Sequence, residues 1–336
     1  MGVLSSHGQP GEVTGTHDSV PIRAACYCLR IMADSSDRHR LRVGLVTCAE
    51  LPEPDLDEAP TLDAFASAGH HAETVAWNGE GDGDLRRFDA CLIRAAWDYY
   101  LDIDRFLAWV ESASERTALY NPAGVVRWNC HKGYLLELER AGIAIVPTSL
   151  GRKGESVDVA RLVGERDWRA GVVVKPAVGA GSWHARRFGS DELDGAQAFA
   201  DELARERDVI VQPVARGFDH PGERSLIWID GRWTHAVRKR PRYAGDDEAV
   251  VSENPVTEEE RALGDRILGS VGYDLLYARL DVIRGDPSAG GGGTDLLVSE
   301  LELIEPSLFF FCEGGEDAAR ALVRATERAV RTSPSA

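Results

Sequence analysis

The chain has 336 residues, of which 43 % are hydrophobic and 28 % charged, and a formal charge of −17. That length holds two or three domains with a sizeable core, while the acidic balance argues against binding nucleic-acid backbone or an anionic membrane through bulk charge. No stretch approaches the roughly 20 apolar residues of a membrane span, and the six scattered cysteines, with only Cys26 and Cys28 close together, read as thiols in a reducing, cytoplasmic setting.

Residues 1–40 are rich in Gly, Ser, His and Asp without a sustained period, and read as an extension in which Met32 offers an alternative start. Residues 41–51 predict a buried strand and its loop, 59–68 a helix closed by Gly69, 71–77 and 88–100 two further strands, and 102–114 a helix with Ile103, Phe106, Leu107 and Val110 on one face. Strand and helix alternating at this spacing imply an open parallel sheet, whose crevice lies beyond the strands' carboxyl ends. Arg94, Trp97, Asp98 and Tyr99 fall there. Arg94 is a candidate for a substrate carboxylate and Asp98 for an ammonium; Trp97 and Tyr99 equally suit packing on the following helix.

Asn121-Pro122 opens a new unit, with a helix over 127–140, a short strand over 143–147, a helix over 156–163 and a buried strand over 171–175. A helix over 191–205 and a strand over 209–214 follow, then two strands around the Asp230-Gly231 turn, a helix over 258–271, and a strand pair over 277–284 and 295–306. Gly290–Gly293 lies in the loop of that pair, and a helix over 317–330 closes the chain.

Four places carry chemistry. Side-chain alternation puts Arg279 and Asp281 on one face of their strand and Glu300 and Glu302 on one face of the partner. Carboxylates on such apolar strands repel, and a hard divalent cation such as Mg²⁺ removes that cost; a solvated acidic face is the alternative. Only four of the 38 basic residues are lysines. One of them, Lys175, ends a buried strand before a Gly-rich loop that lacks the P-loop spacing. Lys132 falls on the helix after Asn121-Pro122, where a solvated side chain is the plain alternative. Arg238, Lys239, Arg240 and Arg242 form a basic cluster, an anion clamp or edge-strand charge, with Arg238 and Lys239 on opposite faces.

The order of these features resembles the ATP-grasp superfamily over about residues 41–330, in the branch with glutathione-synthetase-like ATP-binding domains. Within that branch, the segments 94–99, 222–241 and 278–310 are similar to the cyclo-ligases that close O-ureidoserine to cycloserine. The resemblance implies an α/β fold, α+β in its C-terminal part: an open parallel-sheet domain on the substrate side (41–120), a central lid subdomain (121–210) and a catalytic subdomain (211–332). It implies that Lys132 and Lys175 contact nucleotide phosphates, and that Gly179, Ala180, Gly181 and Ser182 close over the γ-phosphate. It assigns Gln212 and Val214 to the adenine border, Glu223 to the ribose hydroxyls, and Arg238 or Lys239, with Arg279, to the reaction centre. Asp281 with Glu300 and Glu302 would hold Mg²⁺ or Mn²⁺. The superfamily's usual E-x-N is here Glu300-x-Glu302, and Glu305 allows a shifted E-x-x-E register.

The function so implied is an ATP-dependent carbon–nitrogen ligase. It would form an acyl phosphate on a small amino-acid-like carboxylate and pass it to an amine, with ring closure as one version. A homo-oligomer is compatible with it; nucleic-acid and membrane partners are not expected. The alternatives are a peptide-modifying ligase and a nucleotide-binding regulator without catalysis.

Overall fold

In the computed structural model, residues 40–79, 84–240, 249–285 and 296–332 are described. The expected extension with Cys26, Cys28 and Met32, the Gly290–Gly293 loop and Arg242 lie outside them.

The first unit follows its sequence pattern closely. Strands β1 (Arg42–Thr47), β2 (His71–Ala76), β3 (Ala90–Ala95) and β4 (Ala118–Tyr120) form a parallel sheet in the order β2-β1-β3-β4. The continuous apolar runs of β1 and β3 serve two buried faces. Val43, Leu45 and Leu92 pack towards helix α1 (Glu58–Ser67), and Val46, Cys91 and Ile93 towards helix α2 (Ile103–Ser114). Asp102 caps α2, accepting from Arg105 N–H, and Phe106, Trp109, Val110 and Ala113 are its buried stripe.

After β4 the chain departs from expectation. The single helix over 127–140 is two, α3 (Ala123–Asn129) and α4 (Tyr134–Arg140), with Lys132 in the break. The break is held from outside the helices: Lys132 N–H donates to Ala177 O (2.8 Å), and Gly133 N–H to the His131 ring (3.0 Å). The strand expected over 143–147 reduces to one bridge, Ile145 to Val298; the strand proper, β5, is Ser149–Gly151. Helix α5 is Val159–Arg166, strand β6 Val172–Pro176, strand β7 Arg186–Phe188, helix α6 Leu193–Ala204 and strand β8 Val209–Pro213. The second sheet runs β5-β8-β6-β7. One face, with Val172, Val174, Val209 and Val211, packs on α5 and α6; the other carries Val173, Lys175 and Gln212 to a cleft. The boundary expected at 210 therefore falls inside a strand of this sheet.

A one-turn helix α7 (Arg216–Asp219) leads to strands β9 (Glu223–Ile229), β10 (Arg232–Lys239) and β11 (Val250–Ser252). Asp230 and Gly231, both at positive φ, form the turn between β9 and β10. Helix α8 (Glu258–Ser270) starts with a capping box between Thr257 and Glu260. Strands β12 (Tyr277–Arg284) and β13 (Leu296–Glu302) complete a third sheet, β11-β10-β9-β12-β13, and helix α9 (Gly315–Thr332) ends the described chain.

The third sheet decides the layout. On one face Leu226, Ala236, Leu280, Val282 and Leu301 pack on α3, α4 and α8, so residues 123–140 belong to this core rather than to the central subdomain. The other face is split. Its apolar half, Ile227, Ile229, Val237 and Tyr277, lies under α9 and the turn Leu308–Phe310, in one core with Val43, Leu45 and Phe65 of the first unit. Its polar half carries Glu223, Lys239, Arg279, Asp281, Glu300 and Glu302 and opens on the same cleft as Lys175.

Asp57, 2 % exposed, ties the first unit to that turn, because its carboxylate accepts from the N–H groups of Leu308, Phe309 and Phe310 (2.5, 3.0 and 2.7 Å). Asp57→Ala strands three buried donors, each worth roughly 1–3 kcal/mol. It should therefore lower unfolding stability by roughly 3 kcal/mol or more, read from denaturant midpoints; a loss below about 1 kcal/mol would mean that the turn is held by packing alone.

Candidate active site

The cleft between the second and third sheets has a volume of about 810 Å³ and collects most of the predicted residues. Its floor is the polar half-face of β9, β10, β12 and β13. Register sets Asp281 opposite Glu300 and Arg279 opposite Glu302 across the β12–β13 pair. Arg279 reaches both Asp281 (2.9 Å) and Glu302. Lys239 lies between Asp281 (2.8 Å) and Glu223 (2.7 Å), and Ser299 Oγ donates to Glu223 (2.6 Å). From the opposite sheet Lys175 reaches Glu300 (3.2 Å), and from the α3–α4 break Lys132 approaches the same carboxylate (3.5 Å) while donating to Gly179 O (2.9 Å).

These contacts sort the carboxyls into two kinds. Burial works to raise Glu300, but Lys132 and Lys175 outweigh it and hold the group far below the usual carboxylate range. Burial likewise opposes Asp281, and Arg279 and Lys239 hold it down. Glu302 goes the other way: burial, Asp281 and Glu300 outweigh Arg279 and push it up to about 7. Glu305, three residues on, is pushed up to about 8 by burial and Glu302. Oxygens of Asp281, Glu300 and Glu302 lie within 4.8 Å of one another, and Glu305 is outside that triad. Three hard oxygen donors converging at this distance fit a divalent cation.

The Gly-rich loop forms the roof. Gly181, Ser182 and His184 all have positive φ, the last two without a glycine's freedom. Trp183 packs on Tyr100 of the first unit (4.7 Å between rings), and the Arg207 guanidinium lies 4.8 Å from the same indole's centroid. The loop is thus latched to the substrate-side unit, a contact the sequence reading did not foresee; an aromatic inside a run of small residues was its only signal.

Several expected residues do something else. Arg238 is absent from the cleft lining: it points to the opposite face of β10 and is engaged by Glu253 (2.7 Å) and Gly222 O (2.8 Å). Strand alternation allows only one of Arg238 and Lys239 into the cleft, and it is the lysine. Arg94 is 3 % exposed and donates to Pro306 O (2.8 Å), so it holds backbone rather than a substrate carboxylate. Asp98 accepts from the Trp77 indole (2.7 Å) and the Asn78 amide, which removes it as an ammonium partner. Trp97 and Tyr99 do line the cleft; Tyr99 also packs on Phe106, and the Trp97 indole donates to Glu305 O (3.1 Å). Gln212 and Val214 line the cleft, but the Gln212 amide is bound to Thr148 Oγ1 (2.9 Å) and Val214 N–H to Gly171 O (3.0 Å).

Two asparagines were missed. Asn129 donates to Leu301 O (2.8 Å) and accepts from Leu303 N–H (2.9 Å), fixing the exit of β13 beside Glu302. Asn121 bridges Tyr277 O, Leu303 O and Leu276 N–H. No local pattern distinguishes such long-range backbone clamps, although Asn121-Pro122 marked a junction.

Residues 43–121 match a family model described as the N-terminal domain of the D-cycloserine synthetase DcsG. Over 293 residues the chain is 32 % identical to the cycloserine biosynthesis protein DcsG of Streptomyces lavendulae, spanning 81 % of this chain and 94 % of that protein. The crystal structure of D-cycloserine synthetase DcsG is similar with a TM-score of 0.75 at 29 % identity, over 86 % of this chain and 99 % of that one. A D-alanine–D-alanine ligase of Bacillus anthracis complexed with ATP shares the fold at a TM-score of 0.58 and 16 % identity, over 87 % and 97 % of the two chains.

The opposite orientation of neighbouring residues gives a direct test. Lys239→Met should lower kcat/KM for MgATP by about 100-fold or more, the cost of removing one charged contact from a transition state. Arg238→Ala should stay within about threefold of wild type. Equal losses in both variants would overturn the orientation assigned to β10.

Proposed function

The chain belongs to the DcsG family of ATP-grasp ligases and is an ATP-dependent carbon–nitrogen ligase for a small-molecule substrate; from that premise we propose that it activates an amino-acid-like carboxylate as an acyl phosphate. The observation that carries this reading is the convergence of Lys132, Lys175, Lys239 and Arg279 with Asp281, Glu300 and Glu302 between two facing sheets. Free carboxylate is a poor acyl donor because its leaving group would be oxide. Transfer of the γ-phosphoryl group from ATP forms a carboxylate–phosphorus bond and releases ADP. A nitrogen lone pair then attacks the acyl carbon, the C–O bond to phosphate breaks, and inorganic phosphate leaves with the electron pair while nitrogen loses a proton.

In this reading Lys132 and Lys175 bind the nucleotide phosphates, and Lys239 and Arg279 orient the reacting oxygens and hold their charge. Asp281, Glu300 and Glu302 would hold Mg²⁺ or Mn²⁺, which when bound neutralises phosphate oxygens. Gly179, Ala180, Gly181 and Ser182 cover the phosphates, and the Trp183–Tyr100 contact keeps that cover over the substrate-side unit, excluding the water that would hydrolyse an acyl phosphate. Glu223, Gln212 and Val214, which line the cleft, would face the nucleoside in this reading. Among the described residues Cys48, Cys91, Cys130 and Cys312 form no disulfide, which suits the reducing, cytoplasmic setting of this reading. Specialised metabolism is the expected context, as for the Streptomyces relative. Among the described residues no helix is long and apolar enough to cross a membrane.

Two measurements test the reading. Wild type should release ADP in a metal-dependent way when offered the right member of a panel of amino acids, ureido-amino acids and dipeptides, with hydroxylamine trapping the acyl group. Lys175→Ala should lower kcat/KM for MgATP by about 10²–10³, about 2–4 kcal/mol, with an unchanged circular dichroism spectrum. Unchanged ATP kinetics in that variant would sink the assignment.

A further inference from the structure

We propose that His131 and Asp208 are positioning residues for Lys132, holding it in register with Lys175 so that the two lysines meet the nucleotide phosphates together. The assignment rests on the ligase reading above and adds to it two residues that do not line the cleft.

Lys132 stands in the break between α3 and α4, where two main-chain donors have left the helical pattern. In an uninterrupted helix the N–H groups of Lys132 and Gly133 would donate to carbonyls four residues back. Here the first goes to Ala177 O (2.8 Å) and the second to His131 Nδ1 (3.0 Å). A Cβ on residue 133 would lie 2.8 Å from that ring nitrogen, so the glycine leaves the imidazole its place.

Because Nδ1 accepts, the proton of the neutral ring is on Nε2, which faces Asp208 Oδ2 (3.3 Å). Burial pushes the Asp208 carboxyl up, but Lys153 N–H, Arg152 and His131 outweigh it and hold it below its usual range. Arg152 Nη1 (2.7 Å) and Lys153 N–H (2.8 Å) also fix that carboxylate in place. The main chain of Asp208 then closes a circuit. Ala177 N–H donates to Asp208 O (2.9 Å), Ala177 O accepts from Lys132 N–H, and Lys132 is the residue after His131.

Ala177 lies two residues beyond Lys175, at the root of the Gly-rich loop. The circuit therefore ties the backbone of Lys132 to the strand end that carries Lys175, although α3 and α4 pack on the third sheet. Both ammonium groups converge on Glu300, at 3.5 and 3.2 Å. A lysine has a long, flexible stem, so where its charge sits depends on how firmly its backbone is supported. The His131 and Asp208 side chains are 30 % and 19 % exposed, and a pair so open to solvent contributes little to stability. Its loss should therefore appear in nucleotide binding rather than in folding.

The test is a double-variant cycle on the full chain, reading MgATP affinity by titration calorimetry for Lys132→Ala, His131→Phe and the two combined. Each single variant should bind MgATP about tenfold more weakly or worse. The combination should stay within about threefold of Lys132→Ala, because His131 acts through that lysine. His131→Gln, whose amide can donate where Nε2 does, should restore affinity to within about threefold of wild type. His131→Asn, which reaches Gly133 but not Asp208, should not. Losses that multiply in the combined variant, His131→Phe within about twofold of wild type, or equal affinities of His131→Gln and His131→Asn would each overturn the assignment while leaving the ligase reading intact. If His131→Phe melts too low to assay, His131→Asn takes its place in the cycle, with the same outcomes. Wild-type affinity in Lys132→Ala would overturn the ligase reading of that lysine, and the positioning role with it.

Discussion

The structure depends on one electrostatic constraint: charges placed on the face of a buried sheet must neutralise each other there. On β9, β10, β12 and β13 that is achieved by alternation of sign, with Lys239 between Glu223 and Asp281, and Arg279 between Asp281 and Glu302. Removing one member leaves its neighbours buried and unpaired, which costs more than the pair itself contributes. Glu300 is the exception in provenance, because its cations, Lys175 and Lys132, come from the second sheet and from the α3–α4 break. The pairing that neutralises the floor of the cleft is therefore also what joins the facing sheets across it.

The split face of the third sheet explains why a single element can serve stability and chemistry together. Tyr277 and Asp281 are on the same face of the same strand, four residues apart. The Tyr277 hydroxyl lies within hydrogen-bond distance of the carbonyls of Ile93 (2.6 Å), Tyr120 (3.0 Å) and Ile304 (3.0 Å), with one proton to share among them, in the core shared with the first unit. Asp281 is 1 % exposed and meets only charged partners. The transition from apolar to ionic surroundings takes about two residues of strand, and Arg279 marks it, its guanidinium lying 5.5 Å from the Phe309 ring centroid while binding carboxylates.

Much of this was legible in the sequence because the period of a strand is short and local. The pairs Arg279/Asp281 and Glu300/Glu302 follow from alternation alone, and the apolar runs of β1, β3 and β6 are visible without a partner. What was not legible depends on distant contacts. The interruption at Lys132 is stabilised by Ala177, 45 positions away, while the local pattern remains helical. Arg94 and Asp98 sit where crevice residues belong, yet Pro306, Trp77 and Asn78 occupy them. The E-x-E and E-x-x-E registers look alike on paper; only the end of β13 at Glu302 separates a strand carboxylate from the one beyond it.

The clamp of Asp57 on the turn 308–310 bears on how such proteins can be recombined. A carboxylate of the first unit closes a ring of backbone donors near the chain's far end, and Asn121 and Arg94 add further ties to residues 276–306. The amino-terminal sheet is consequently not an exchangeable cassette. A chimaera that imported another substrate-side unit would inherit a misplaced C-terminal turn unless residues 303–310 travelled with it, so in this lineage the two ends of the chain are expected to diverge as a linked pair.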